Sequence, residues 1–201
     1  MSAYVIGDIN VTDPETFAKY ASLVPASSGA FGCKYLVRGP DKCEPVEGDW
    51  NPKRFVLAEY KDVDTIKAWY YSEEYKELTK LRQSASTGSL LVANGVEFSE
   101  PGRDAGQAGY LVADIEVTDP DIYTEYAAGV PDTVAAYGGR YLIRGAQGEV
   151  LEGSWTPKRL VVLEFESLER VKEWYNSPEY ADLKKLRHSA SKGNAIFAEG
   201  G

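Results

Sequence analysis

Histidine and cysteine are scarce in this chain, and their scarcity limits the chemistry that it can carry. His188 is the only histidine, and Cys33 and Cys43 are the only cysteines among 201 residues. A zinc site needs several such ligands at close spacing, and a disulfide scaffold needs more cysteines. We therefore expect no metal site. Two thiols of this kind are typical of a reducing, cytoplasmic location, with a Cys33–Cys43 bridge across a hairpin as the alternative.

An excess of positive charge and a long apolar run are also missing. The formal net charge is −9 at pH 7, whereas nucleic-acid surfaces are built from Lys and Arg set against phosphate. No apolar run approaches the roughly 20 residues that cross a bilayer. The first residues lack the basic and apolar parts of a secretory signal. We expect no nucleic-acid partner, no membrane partner and no secretory signal.

The most informative feature that is present is an internal duplication. Residues Tyr4–Pro14 (YVIGDINVTDP) return as Tyr110–Pro120 (YLVADIEVTDP). The motif EGDWNPKR at 47–54 returns as EGSWTPKR at 152–159. A repeat of this length indicates a duplicated domain, because solenoid units run only about 20–50 residues.

A third repeated segment completes the comparison between the copies. The run WYYSEEYKELTKLRQSAS that begins at Trp69 returns as WYNSPEYADLKKLRHSAS from Trp174. We predict a first repeat at 1–96, a linker at 97–108 and a second repeat at 109–201. Each repeat is close to the common size of a domain.

Each copy reads as the element order β-α-β-β-α-β. In the first copy Asp13 or Thr12 can cap the first helix. Pro25, the Ser-Ser-Gly after it and Gly32 are expected to end or kink that helix. A second helix opens at Asp62 or Asp64 and restarts at Ser72. The predicted strands of the first copy are residues 4–11, 33–38, 54–60 and 90–93, with a turn-rich stretch through Gly48.

This order predicts an α+β fold, the split βαβ or ferredoxin-like unit, with both helices on one face of an antiparallel sheet. The other face of the sheet would be bare and apolar, and such a face requires a partner. We therefore predict that the two repeats pack sheet to sheet as a single-chain, pseudo-dimeric α/β barrel.

On these motifs, both copies resemble the small α/β-barrel family called domain of unknown function 1330. The motifs are VTDP, YLVRG or YLIRG, EGxWxPKR and LRxSAS. The resemblance implies a fused form of the two-chain barrel of the dimeric α/β-barrel superfamily. Its relatives include cofactor-free monooxygenases, muconolactone isomerases, polyketide cyclases, haem-degrading enzymes and dye-decolourising peroxidases. The haem enzymes use an axial histidine, and His188 has no counterpart in the first copy, so we expect no cofactor.

Two repeated pairs are the candidate catalytic residues. Strand alternation directs Asp8 and Asp114 into the barrel, where a carboxylate can act as a base or can simply be paired. Arg38 and Arg144 end the YLVRG and YLIRG strands, and a guanidinium suits a carboxylate or phenolate. Neutralising Asp8 or Glu59 is the equal alternative for Arg38. Our hypothesis is that the aspartates are bases and that the arginines hold an oxyanion.

Four further pairs are candidate ligand-binding residues. Each has a structural alternative: the glutamates as core partners of arginine, the tryptophans as plugs or contacts between the repeats, and the tyrosines as helix core. The arginines of the EGxWxPKR motif share the ambiguity of the tryptophans. The pairs are Glu59 and Glu164, Trp50 and Trp155, Arg54 and Arg159, and Tyr75 and Tyr180.

The sequence thus predicts a protein that binds a small-molecule ligand without a cofactor. The first hypothesis is a cofactor-independent isomerase, cyclase or monooxygenase acting on a small aromatic or polyketide-like acid. The second is a non-catalytic ligand-binding or stress-associated module, and the third is that the repeated polar residues only hold the halves together. The protein would be a monomer with an internal pseudo-dimer, or a further homo-oligomer. Any difference between the two pockets is expected in the divergent segments 26–33 and 132–139.

Overall fold

The computed structural model describes residues 1–97 and 106–201. Most of the linker predicted at 97–108 therefore lies outside the described residues. Within the part of the chain that is described, no helix is long and apolar enough to cross a membrane.

The elements of the two repeats follow the same order. The first repeat contains β1 (Ala3–Val11), α1 (Pro14–Gly29), β2 (Lys34–Pro40), β3 (Cys43–Glu47), β4 (Arg54–Tyr60), α2 (Val63–Tyr70), α3 (Glu73–Ala85) and β5 (Ser86–Asn94). The second contains β6 (Gly109–Val117), α4 (Pro120–Ala136), β7 (Arg140–Ala146), β8 (Glu149–Glu152), β9 (Leu160–Phe165), α5 (Leu168–Tyr175), α6 (Pro178–Ala190) and β10 (Ser191–Glu199).

Short polar side chains set where the helices begin. The Asp13 carboxylate accepts the backbone N–H groups of the first turn of α1, and Asp62 caps α2 in the same way. Ser72 caps α3, so the predicted restart is a true break between two helices. These caps satisfy N–H groups that have no partner inside the helix.

Helix α1 continues through Pro25 and ends at Gly29, within the segment where its end was expected. It continues because a strand side chain replaces the hydrogen bond that proline removes. Proline has no N–H, so the carbonyl four residues earlier, that of Ala21, loses its helical donor. The Nη2 of Arg38 on β2 donates to that carbonyl at 2.5 Å. In the second repeat Arg144 makes the same bond, at 3.3 Å, to the carbonyl that Pro131 leaves free.

The strands form two antiparallel five-stranded sheets. Their orders are β2-β4-β1-β5-β8 and β3-β10-β6-β9-β7. The split βαβ order of four strands is confirmed in each repeat. The fifth strand of each sheet comes from the other repeat, since β3 pairs with β10 and β8 pairs with β5.

The exchanged strand β3 corrects the prediction of turns up to Gly48. Asp41 adopts φ 55°, which turns the chain sharply after β2. The chain then leaves its own sheet and pairs with Ala195–Ala198 of the last strand. Pro45 is tolerated there because β3 is an edge strand.

Three apolar clusters make up the core, and together they confirm the sheet-to-sheet barrel. One cluster lies between the two sheets and includes Tyr4, Ile6, Tyr110 and Val112. The other two lie between each sheet and its own helices. The bare face of each repeat is thus covered by the other repeat.

Buried ion pairs fix the exchanged strands in place. Glu47 at the end of β3 accepts Nη1 of Arg187 at 2.8 Å and Nη2 at 2.5 Å, and Arg187 lies on α6 of the second repeat. Glu152 at the end of β8 accepts from Arg82 on α3 of the first repeat. The side chains of Arg187 and Glu47 are 7% and 14% exposed. Each repeat therefore inserts a carboxylate beside the arginine of the other.

Removing one partner of such a pair is expected to be costly. Glu47→Ala leaves Arg187 buried without its carboxylate, and the free energy of unfolding should fall by about 3–5 kcal/mol in urea denaturation. Glu77→Ala is the matched control, because Glu77 forms an exposed pair with Lys80 at 2.6 Å. Its cost should be about 0–1 kcal/mol. Equal losses in the two variants would contradict a structural role for Glu47.

The same carboxylate makes stability depend on acid. Burial alone would raise the pKa of Glu47, but the hydrogen bonds and charge of Arg187 outweigh it and lower the pKa to about 2. A depressed carboxyl pKa contributes stability above the unfolded value, about 4.3, and loses it as the pH falls through the folded value. We expect the melting temperature to fall between pH 5 and pH 2. Glu47→Gln should flatten that fall, and an unchanged slope would refute the assignment.

Candidate functional site

Charged and phenolic side chains occupy the barrel interior where β1 and β6 begin. Glu164 is 2% exposed and accepts Nε of Arg140 at 2.6 Å. Lys34 lies opposite Glu59 in the β2–β4 register, as Arg140 lies opposite Glu164. Burial, followed by the charges of Glu59 and Glu164, raises the pKa of Tyr4. The core partner of Glu164 is therefore Arg140 and not the repeated Arg144.

The other end of the barrel, which we call the barrel mouth, holds two aspartate–tryptophan pairs. The indole Nε1 of Trp50 donates to Asp8 Oδ2 at 2.8 Å, and that of Trp155 donates to Asp114 Oδ2 at 2.9 Å. The two indole rings lie 4.9 Å apart between centroids. The predicted tryptophans thus form a contact between the repeats and hold the predicted aspartates.

The loops that carry these tryptophans are anchored on the opposite repeat. Asn194 Oδ1 on β10 accepts the backbone N–H of Trp50 at 3.2 Å, and Ser89 Oγ on β5 accepts that of Trp155 at 3.2 Å. Beside them lies an open cavity of about 410 Å³. Its lining is acidic, aromatic and hydroxylic: Asp8, Asp49, Trp50, Ser89, Asp114, Ser154, Trp155 and Asn194.

A second kind of cavity lies between the first sheet and its helices. We call this cavity of about 50 Å³ the arginine pocket, since its lining includes Arg38, Arg54 and Arg82. Aromatic side chains supply most of the remaining wall, and Tyr75 is among them. The Tyr75 hydroxyl lies 3.3 Å from that of Tyr20. Tyr75 is also 1% exposed, so it is at once core and pocket wall.

Arg38 and Arg54 face this pocket without an acidic partner. The Arg54 guanidinium lies 5.0 Å from the ring centroid of Phe17, and its Nε is buried with no hydrogen-bond partner. Burial and then the charge of Arg38 lower the pKa of Arg54. In the part of the chain that is described, neither arginine forms an ion pair with a carboxylate, in a protein with an excess of acidic residues.

The second repeat has the equivalent arginines and tyrosine beside two smaller cavities. Arg159 lies 5.5 Å from the ring centroid of Tyr123, and Tyr180 lines the cavity beneath α6. The room between sheet and helices is divided there into cavities of about 20 and 30 Å³. Arg144 and Arg159 border the second of these.

The hypothesis of a shared Asp–Arg site requires a correction, because the two residue types lie on opposite faces of the sheet. Asp8 follows Tyr4 and Ile6 into the barrel, as predicted. A β-bulge between Tyr35 and Val37 places Leu36 and Val37 together on the barrel side. Arg38 then points to the helix side, into the arginine pocket. The second repeat has the same bulge before Arg144.

Some residues that build these sites were not among the candidates. Arg140 and Glu47 are examples, although the glutamate of the EGxWxPKR motif is repeated as Glu152. The repeated proline of α1 and α4 was a signal for the carbonyl that Arg38 binds. The sequence gives no comparable signal for the bulge.

The family model "Domain of unknown function (DUF1330)" matches residues 2–96 and again 108–201, so the chain belongs to this family in tandem form. No curated protein matches the sequence.

Solved structures similar to this chain share its architecture. A candidate monooxygenase from Fusobacterium nucleatum subsp. nucleatum aligns over 99% of this chain and 92% of its own, with 10% identity and a TM-score of 0.60. A second from Lactobacillus acidophilus aligns over 100% and 97%, with 11% identity and a TM-score of 0.51. A mutant chlorite dismutase from Candidatus Nitrospira defluvii aligns over 100% and 91%, with 10% identity and a TM-score of 0.53. At such identities the likeness shows the dimeric α/β-barrel fold.

The aspartates of the barrel mouth are expected to differ in their contribution to stability. Asp114 accepts the Trp155 indole and also the backbone N–H groups of Lys158 and Arg159, at 2.8 and 3.2 Å. Asp114→Ala should lower the free energy of unfolding by about 2–3 kcal/mol, since bonds to charged groups are the stronger ones. Asp8→Ala, the matched variant, should cost less. A larger loss for Asp8→Ala in the same denaturation assay would be the contrary result.

Proposed function

We propose that this protein binds a small aromatic acid in the arginine pocket of the first repeat. The observation that carries the proposal is the pair of guanidinium groups, Arg38 and Arg54, on one cavity with no carboxylate in its lining. Two half-buried cations without counter-charge are unfavourable, and a ligand anion would relieve the cost. A guanidinium matches the planar carboxylate in two parallel hydrogen bonds.

The walls of the pocket favour an aromatic body for this ligand. Phe17, Tyr20, Tyr35 and Trp69 line it, and aromatic rings pack well by offset or edge contacts. The present space of about 50 Å³ holds a few waters, so a ring must displace α1 from the sheet. A ligand carboxylate would compete with the Ala21 carbonyl for Arg38. Entry of the ligand is thus coupled to the contact that holds α1.

The chemistry of the lining favours binding over proton abstraction by a protein base. Burial raises the pKa of Tyr20 and of Tyr35, so both hydroxyls remain protonated at neutral pH. The described lining contains no Asp, Glu or His. A non-catalytic ligand-binding module therefore fits the pocket best.

A cofactor-independent isomerase, cyclase or monooxygenase is the second candidate. It requires a ligand acidic enough to ionise beside the two arginines, which would then hold the oxyanion. Asp8 and Asp114 do not enter either version, since they face the barrel mouth. We also propose a cytoplasmic location, which the two free thiols Cys33 and Cys43 support, and an internal pseudo-dimer in a single chain.

Thermal-shift and calorimetric titrations with benzoate test the proposal. Benzoate should raise the melting temperature, whereas benzyl alcohol and benzylamine should not. Arg54→Gln should lower the affinity for benzoate at least about tenfold, because it removes one charge-assisted hydrogen bond of roughly 1.5–3 kcal/mol. Arg159→Gln, at the matching position of the second repeat, should leave the affinity unchanged.

Arg54 is a better position for substitution than Arg38, because Arg38 also supports α1 through its bond to the Ala21 carbonyl. If benzoate binds Arg54→Gln as well as the parent, or binds neither, the proposed site is wrong. Product analysis of a bound phenolic acid in air then separates turnover from simple binding.

A further inference from the structure

Equivalent arginines of the two repeats are bonded differently. Arg187 uses both Nη atoms on the two oxygens of Glu47, and its Nε donates to the Tyr180 hydroxyl at 3.2 Å. Arg82 reaches one oxygen of Glu152 through Nη2. Its Nε is buried and has no hydrogen-bond partner. The first repeat therefore contains a donor that the second repeat has satisfied.

A sequence difference lies beside this asymmetry. Gln83 follows Arg82, and its Nε2 donates to Glu152 Oε2 at 3.1 Å. The equivalent residue, His188, instead lies beside the oxygen Oε1 of Glu47 and leaves Oε2 to Arg187. In the first repeat the glutamine donates to the Glu152 oxygen that Arg82 does not contact. Arg82 is left in a one-point contact with its Nε unused.

The unused donor belongs to the wall of the arginine pocket. Arg82 is 5% exposed, and it lines the same cavity as Arg38 and Arg54. The Arg82 guanidinium carbon lies 6.0 Å from the ring centroid of Tyr20, and Tyr20 packs against Phe17 at 5.4 Å. Phe17 in turn lies under Arg54. An aromatic wall thus runs from the arginine pair to the Arg82 side chain.

An unsatisfied buried donor is costly, and the cost is larger for a charged group. A ligand that supplies an acceptor at this point removes that cost, and a ligand without one does not. A site with a buried donor strongly discriminates between analogues that differ by one polar group.

We infer that the ligand of the arginine pocket is an aromatic acid with a second oxygen on its ring. Its carboxylate meets Arg38 and Arg54, and its second oxygen accepts from Nε of Arg82. This inference rests on the proposed function and narrows its ligand class to oxygenated aromatic acids, such as the hydroxybenzoates.

The test compares benzoate with 2-, 3- and 4-hydroxybenzoate by isothermal titration calorimetry on the full chain. At least one hydroxybenzoate should bind roughly tenfold tighter than benzoate, the value of one hydrogen bond to a charged group. Arg82→Lys removes the Nε donor but keeps a positive charge toward Glu152, so the ratio of hydroxybenzoate to benzoate affinity should fall toward one.

Two further variants separate ligand contact from stability. Arg187→Lys makes the same change in the second repeat. It should lower the melting temperature but keep the preference for the hydroxybenzoate over benzoate. Gln83→His changes an exposed residue of the first repeat to the histidine found at the equivalent position of the second repeat. With Oε2 of Glu152 released to Arg82, the preference for the hydroxybenzoate should shrink toward that of Arg82→Lys.

The outcomes distinguish this inference from the proposal beneath it. The inferred contact between a second ligand oxygen and Arg82 is wrong if benzoate and every hydroxybenzoate bind the parent equally. It is also wrong if Arg82→Lys and Gln83→His both keep the full preference for the hydroxybenzoate. In either case the proposed carboxylate site at Arg38 and Arg54 is retained. If no aromatic acid binds, both are wrong. Loss of preference in the first-repeat variants alone supports the contact with Arg82.

Discussion

The exchange of β3 and β8 between the repeats is the constraint on which the rest of this structure depends. Each exchanged strand ends in a glutamate, and each glutamate lies beside a buried arginine of the other repeat. Neither sheet reaches five strands without the other half of the chain. The loop that follows each exchanged strand then carries its tryptophan to the barrel mouth. Barrel closure, the contact between the two indoles and the position of both arginines thus follow from one pairing.

A second dependence links helix α1 to the pocket beneath it. Proline in a helix normally costs a hydrogen bond and bends the chain. In both repeats an arginine from the neighbouring strand supplies the lost donor, so the helix continues. The same guanidinium faces the cavity between helix and sheet. The residue that would recognise an anion is therefore also the residue that holds the helix over the site.

Local rules predicted the elements well, and non-local geometry accounts for what they missed. Asp13 was predicted as one of two possible caps and Ser72 as the restart of a helix, because helix starts depend on a few neighbouring residues. The inward position of Asp8 followed from simple strand alternation. The outward turn of Arg38 did not, since a single extra residue at the bulge reverses the face of everything after it. Strand β3 was missed because its partner, β10, lies at the far end of the chain.

The candidate site shows the same division between what local sequence predicts and what non-local geometry decides. Duplication correctly marked residues that recur, but it could not say which of them would share a cavity. It also gives no weight to positions where the copies differ. Gln83 and His188 occupy such a position, and each contacts the carboxylate that the neighbouring arginine binds.

The pairing of β3 with β10 also delays the completion of the fold during synthesis. Strand β10 is the last element of the chain, so β3 is made long before its partner exists. Until then the first repeat presents an unpaired edge and an uncovered apolar sheet face, the two features that promote association between incomplete chains. Contacts between residues so distant in sequence also slow folding. The tandem chain keeps the missing partner covalently attached, and therefore at a high local concentration from the moment it leaves the ribosome.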